Sequence, residues 1–235
     1  MQGNDKRTIT SALILAAGSG SRMGMGITKQ RLTVLGKTVL RRAVEAFERC
    51  TAVDSITVVC KGEELEQIRN DLSGIEKLEQ IIIGGKTRAE SAKIGFTALK
   101  NKSGTVLIHD GARCLVTEDD IKKVADAARE FGCATASCRV TDTVKIVEGD
   151  GIISTLDRSS LRTVQTPQGF ACELYARALE NADATGAEIT DDNMLVEMLG
   201  IRIRAVDTSS DNIKITTPQD LELAEFIIKK RSGEQ

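Results

Sequence analysis

A chain of 235 residues, 41% hydrophobic and 28% charged, can bury the core of an α/β domain and has the composition of a soluble globular protein. Its net charge of −2 argues against a generic nucleic-acid binder, and no apolar run approaches the ~20 residues needed to span a bilayer. The N-terminal residues lack the apolar centre of a signal peptide; the six cysteines contain no C-x-x-C pair and accompany one histidine, His109. A cytoplasmic protein that uses neither zinc nor a Cys–His nucleophile is expected.

Strands and helices alternate along the chain. Residues 12–17 and 55–60 read as strands, and between them Val39, Leu40, Ala43, Val44 and Phe47 mark one face of a helix. A helix over 63–72, a strand over 81–83, a helix over 89–100 and a strand over 105–108 follow. Thr117 with Asp120 three residues on predicts a helix start, and 134–140 a fifth strand. This alternation predicts an α/β fold: a mostly parallel sheet with helices on both faces. The pattern breaks at 143–147 and 152–156, two short strands around Glu148-Gly149-Asp150-Gly151. They read as a protruding β-hairpin arm at about 139–158, which must pack on something because a lone hairpin is marginal. Helices over 172–181 and 190–199, a strand over 201–207 and a helix opened by Thr217-Pro218-Gln219-Asp220 complete a single domain over 1–235. Thr190 reads as an N-cap, and Glu63-Glu64 as part of a solvated face.

The most informative stretch is Ala12–Gly24, an apolar strand that breaks into Ala16-Ala17-Gly18-Ser19-Gly20-Ser21-Arg22, with Lys29-Gln30 just beyond. Small residues let a ligand approach the backbone, whose N–H groups can cradle phosphate oxygens, while Arg22 and Lys29 supply positive charge. The dinucleotide fingerprint fails, because Met23 stands where the third glycine belongs and no acidic residue ends the strand at 55–60. The P-loop fails too: Gly36-Lys37-Thr38 and Gly85-Lys86-Thr87 carry its tail, but Arg31 and Gln80 occupy the upstream glycine positions. Three further motifs complete the set: Gly84–Ser91 and His109–Arg113 at strand ends, and Asp211–Thr216 further on.

Together these motifs resemble the 2-C-methyl-D-erythritol 4-phosphate cytidylyltransferase family, over residues of about 12–228, with further matches at Asp142-Thr143, Asp157-Arg158, Gln165–Gln168 and Ile189–Asp192. The resemblance implies a Rossmann-like fold of the nucleotide-diphospho-sugar transferase type. It implies transfer of a cytidylyl group from CTP to a polyol phosphate, with Mg²⁺ and release of pyrophosphate. Arg22 and Lys29 match the catalytic pair on the triphosphate. Ala16, Ala17, Gly18 and Gly20 match the wall around the nucleotide, and Gly85 and Ser91 the positions that read cytosine. Asp110 matches an acid near the ribose, the metal and the polyol. Arg113, Thr143, Arg158, Thr166 and Lys214 match polyol-phosphate contacts, and Thr190 lines the same region. The family's arm reaches a second subunit, so a homodimer with a shared pocket is implied. Two positions depart from the pattern: Thr28 and Cys114 stand where proline is usual. Two other readings stay open: a ribitol-5-phosphate cytidylyltransferase, and a nucleotide-binding module without catalysis. Arg88 also reads as the partner of a local acid, and His109 as a structural neighbour of Asp110.

Overall fold

The computed structural model describes residues 8–18, 28–185 and 189–233. A seven-stranded sheet forms its centre. The strands are β1 (Thr10–Leu15), β4 (Ser55–Cys60), β5 (Leu78–Ile83), β6 (Thr105–Asp110), β7 (Cys133–Arg139), β10 (Arg162–Ala171) and β11 (Arg204–Asp207). Two small hairpins pair β2 (Thr33–Val34) with β3 (Lys37–Thr38) and β8 (Lys145–Glu148) with β9 (Gly151–Thr155). The helices are α1 (Val39–Arg49), α2 (Leu65–Asp71), α3 (Arg88–Ala98), α4 (Glu118–Phe131), α5 (Cys172–Thr185), α6 (Asp192–Glu197) and α7 (Pro218–Ser232). No helix among the described residues is long and apolar enough to cross a membrane.

Period-two alternation sends the side chains of β1 to opposite faces. Ala12 and Ile14 pack with Leu40, Val44 and Phe47 of α1 and with Ile121, Val124 and Ala128 of α4. Leu13 and Leu15 pack on the other face with Ala92 and Phe96 of α3, Tyr175 of α5 and Leu195 of α6. A smaller cluster joins Val34, Leu115 and Ile215 to Ala224 and Ile227 of α7. Helices are capped as the sequence suggests at Thr117, whose side chain accepts from Asp120 N at 3.1 Å, and at Thr217, whose N donates to Asp220 Oδ2 at 2.7 Å.

The order β11-β7-β10-β6-β1-β4-β5 contains one reversal. β10 runs antiparallel to both β6 and β7, whereas the remaining pairs of the sheet are parallel. This strand is not apparent from sequence, because Pro167, Gly169 and two glutamines disguise it. Its register shifts between Val164 and Gln168, so the proline, which has no N–H to donate, falls in the gap. The arm is present, with strands at 145–148 and 151–155 and a turn at Gly149 with φ 56°. At α6 the N-cap is Asp191, whose carboxylate accepts from Met194 N at 3.0 Å; Thr190 is exposed one residue earlier.

Candidate active site

The chain leaves β1 for β4 and β5 on one side, then returns to place β6 on the other. The crevice outside β1 and β6 is therefore the topological switch point, where α/β sheets bind ligands. In the parallel register Leu15 lies opposite Asp110, so the small-residue loop starts beside that carboxylate. Three backbone bonds stitch the strand ends together: Gly111 N to Leu15 O at 2.9 Å, Ala16 N to Val59 O at 2.7 Å and Gly84 N to Cys60 O at 2.8 Å.

A cleft of about 430 Å³ opens there, within the size range of small-molecule sites. Ala17 and Gly18 from the first loop, Gly85 and Ser91 from the segment after β5, and Asp110 and Lys214 line it together with Lys29. Distant motifs thus converge on one site. Lys61, Lys86 and Arg88 add cations that the family resemblance did not single out. Lys61 follows β4 directly, so its place at a carboxyl strand end was the available signal. Among the described lining residues Asp110 is the only carboxylate, so this part of the cleft is strongly positive although the whole chain is slightly negative.

Asp110 is the electrostatic centre. Its Oδ1 lies 3.2 Å from Arg88 Nε, its Oδ2 2.7 Å from Lys214 Nζ and 3.9 Å from Arg113 Nε. Burial alone would raise its pKa, but Arg88, Lys214 and Arg113 outweigh it and hold the carboxyl well below the usual range. Arg88 also donates through Nη1 to the buried Asp192 Oδ2 at 2.7 Å, and Tyr175 OH donates to Asp192 Oδ1 at 2.6 Å. Burial disfavours the Arg88 cation, but Asp192 and Asp110 reverse this and raise its pKa. Arg88 is therefore the partner of acids as well as a wall of the cleft.

Below Asp110 lies a neutral network. Thr166 Oγ1 accepts from Asp110 N at 3.0 Å and lies 3.0 Å from His109 Nδ1, while His109 Nε2 lies 3.2 Å from Arg113 O. These partners assign the proton to Nε2, with the Thr166 hydroxyl donating to Nδ1. Burial pushes the His109 pKa down to about 4, so the ring is neutral near pH 7. His109 is thus structural, as expected. Thr166, expected as a polyol contact, is buried, and its hydroxyl accepts from the backbone N–H of Asp110 at the end of β6. Asn212 is fully buried nearby: its Nδ2 donates to Gln165 Oε1 at 3.1 Å and to Thr166 O at 2.8 Å. Arg113 Nη1 donates to Asn212 O at 2.7 Å.

Ala16 is buried behind the cleft wall rather than lining it. Ser91 is also almost fully buried, and its hydroxyl accepts from Gly85 N at 3.1 Å and donates to Thr87 O at 2.9 Å. It braces the Gly85 turn from within the cleft wall. Thr143 and Arg158 sit on the exposed arm outside the cleft, where Arg158 Nη1 donates to Thr141 O at 2.5 Å. Thr190 is exposed, its hydroxyl 3.7 Å from Met194 Sδ. Arg22 and Gly20 lie outside the described residues. Glu64 corrects the sequence reading: it is buried rather than on a solvated face.

A positive cleft at the switch point of a mostly parallel sheet, with the small residues Ala16, Ala17 and Gly18 following β1, is that of an α/β nucleotidyltransferase fold. The sequence pattern of IspD, 2-C-methyl-D-erythritol 4-phosphate cytidylyltransferase, matches residues 10–230, and the chain belongs to that family. It is 42% identical to the 2-C-methyl-D-erythritol 4-phosphate cytidylyltransferase of Pelotomaculum thermopropionicum, over 95% of each chain. It is also 42% identical to that of Geobacter metallireducens, over 94% of this chain and 97% of the relative. Among solved structures, 4-diphosphocytidyl-2C-methyl-D-erythritol synthase from Anaerococcus prevotii superposes with a TM-score of 0.85 at 30% identity, over 95% of this chain and 99% of that one. The Thermus thermophilus enzyme gives 0.76 at 32% identity, over 94% and 99%.

Proposed function

We propose that the cleft binds CTP and joins its cytidylyl group to 2-C-methyl-D-erythritol 4-phosphate, releasing pyrophosphate, as a step of isoprenoid biosynthesis. The observation that carries this reading is Asp110, held by Arg88 and Lys214 at the switch point, inside a cleft that Lys29 also lines. The relatives' names support the methylerythritol acceptor over ribitol phosphate.

An acceptor phosphate oxygen attacks the α-phosphorus; that P–O bond forms as the bond to the β-phosphate oxygen breaks, and pyrophosphate leaves with the electron pair. The nucleophile is already ionised near pH 7, so no general base is needed. Neutral His109, buried beneath Asp110, stays out of the chemistry. The protein's work is positioning and charge stabilisation. Lys29, with Arg22, stabilises the negative charge that grows on the α-phosphate oxygens. Gly85 and the turn that Ser91 braces let the base approach backbone, and Lys214 and Arg113 receive the acceptor phosphate.

Asp110 is a hard oxygen donor, and the described residues contain no group of three or more His, Cys, Asp or Glu side chains that could cage a metal. A single carboxylate, completed by phosphate oxygens and water, fits Mg²⁺. When bound, Mg²⁺ supplies further neutralisation of the triphosphate.

The arm exposes Ile146, Val147, Ile152 and Ile153, an apolar surface that a second copy of the chain would cover. In such a homodimer Thr143 and Arg158 would serve the partner's acceptor site. The six free cysteines fit the reducing cytoplasm.

The decisive assay is pyrophosphate release from CTP and Mg²⁺ with methylerythritol phosphate or ribitol 5-phosphate as acceptor. Turnover with the first, reduced on the order of 10²–10³ by Arg22→Ala or Lys29→Ala, is expected. Turnover only with ribitol phosphate would reject the acceptor, and none with either would reject the reaction.

A further inference from the structure

Glu64 is a buried ionisable group that the transfer chemistry does not use. It ends the 3-10 turn Gly62–Glu64 after β4 and is 4% exposed. Its Oε1 accepts a buried hydrogen bond from Thr28 Oγ1 at 2.5 Å. Its Oε2 is buried with no hydrogen-bond partner among the described residues. Burying a carboxyl group costs free energy unless it is hydrogen-bonded, and among the described residues the Thr28 hydroxyl supplies that bond.

The two bonded residues belong to two walls of the cleft. Thr28 opens the 3-10 turn Lys29–Arg31, which is closed by Arg31 N donating to Thr28 O at 3.0 Å. Glu64 N donates to Lys61 O at 3.1 Å, which closes the other turn. Lys29 and Lys61 both line the cleft, one on each segment. The Thr28–Glu64 bond therefore ties together the backbones that carry two of its cations.

We propose that Glu64 is a positioning residue: through Thr28 it fixes the turn that carries Lys29 against the β4 end that carries Lys61. Thr28 has φ −69° and ψ 146°, the backbone of a proline, yet no ring holds it there. The buried hydrogen bond supplies that restraint from outside the residue. The functional part of the proposal rests on Lys29 acting on the triphosphate; the structural part does not.

The test uses the whole chain and two readouts. Hydrogen exchange of the amides at 28–31 in the free protein reads the restraint alone. Thr28→Val removes the donor, and Glu64→Leu removes the acceptor. Each is expected to speed that exchange about tenfold and to lower kcat with CTP about ten- to a hundredfold, with circular dichroism unchanged. The double variant T28P/E64L restores the φ restraint without the bond, and recovery of kcat to within about threefold of the parent is expected. Unchanged exchange in both single variants overturns the restraint. Faster exchange with kcat unchanged overturns its functional part, as does a Glu64→Leu loss that T28P/E64L fails to recover. If the parent turns over no CTP, the functional reading fails while the exchange data still decide the restraint.

Discussion

Arg88 and Asp192 form an ion pair 104 residues apart in sequence, with Arg88 Nη1 2.7 Å from Asp192 Oδ2. The carboxylate is 1% exposed, whereas the guanidinium is 29% exposed and also reaches Asp110 at 3.2 Å. Arg88 thus links the structural core around Tyr175 to the centre of the cleft. Arg88→Met would leave Asp192 buried without its cation, which costs about 3 kcal/mol when one partner of such a pair is removed. It would also loosen Asp110. We expect urea denaturation to show that loss and kcat/KM to fall on the order of 10². A variant as stable as the parent would mean that the pair is not held in solution.

Gly84 sits where three cleft-forming segments meet. A Cβ there would stand 2.7 Å from Ser91 Oγ, 2.8 Å from Val59 Cγ1 and 2.9 Å from Ala17 Cβ. Gly84→Ala must push the first loop and the start of α3 apart. We expect about 1–3 kcal/mol of destabilisation from overpacking. Because Ala17 and Ser91 belong to the nucleotide side of the cleft, the KM for CTP should rise more than that for the acceptor. Steady-state kinetics with each substrate varied in turn separates the two.

Stability should fall in acid through His109. Its ring is fully buried, with a pKa pushed down to about 4, against 6.5 when unfolded. Between those values the unfolded chain binds a proton that the folded chain refuses. The contribution of the neutral ring is complete above pH about 6.5 and is lost as the pH falls to about 4, amounting to about 3 kcal/mol. Asp110 adds to the loss at lower pH, since its folded-state pKa is depressed and its contribution goes as the carboxyl protonates. Unfolding free energies from pH 7 to 4.5 should slope steeply in the parent and less in His109→Leu. Parallel slopes would place the acid sensitivity elsewhere.

The arm offers a clean test of assembly. Val147 and Ile152 are cross-strand partners, 61% and 67% exposed. Replacing both with glutamate removes apolar surface without touching the core. Sedimentation should give a dimer for the parent and a monomer for the variant, with activity reduced if the proposed sharing of Thr143 and Arg158 with a second cleft holds. Equal masses would refute docking through the arm.

Local patterning in the chain was enough to indicate the alternating α/β order, the hairpin arm, the capped helices and the motifs that meet in the cleft. These are local properties: hydrophobic period, cap chemistry and glycine at strand ends act over a few residues. It also pointed to Lys29, Gly85, Asp110 and Lys214, which the cleft brings together. It could not indicate β10, whose proline and polar residues argue against a central strand until the register gap absorbs them. Nor could it show that the Thr166 and Ser91 hydroxyls bond to backbone groups within the protein. The burial of Glu64 and the reach of Arg88 to Asp192 were likewise settled only by tertiary structure. Each depends on which distant groups the fold presents as neighbours, because burial and pairing are set by the whole packing and not by the residues alongside in sequence.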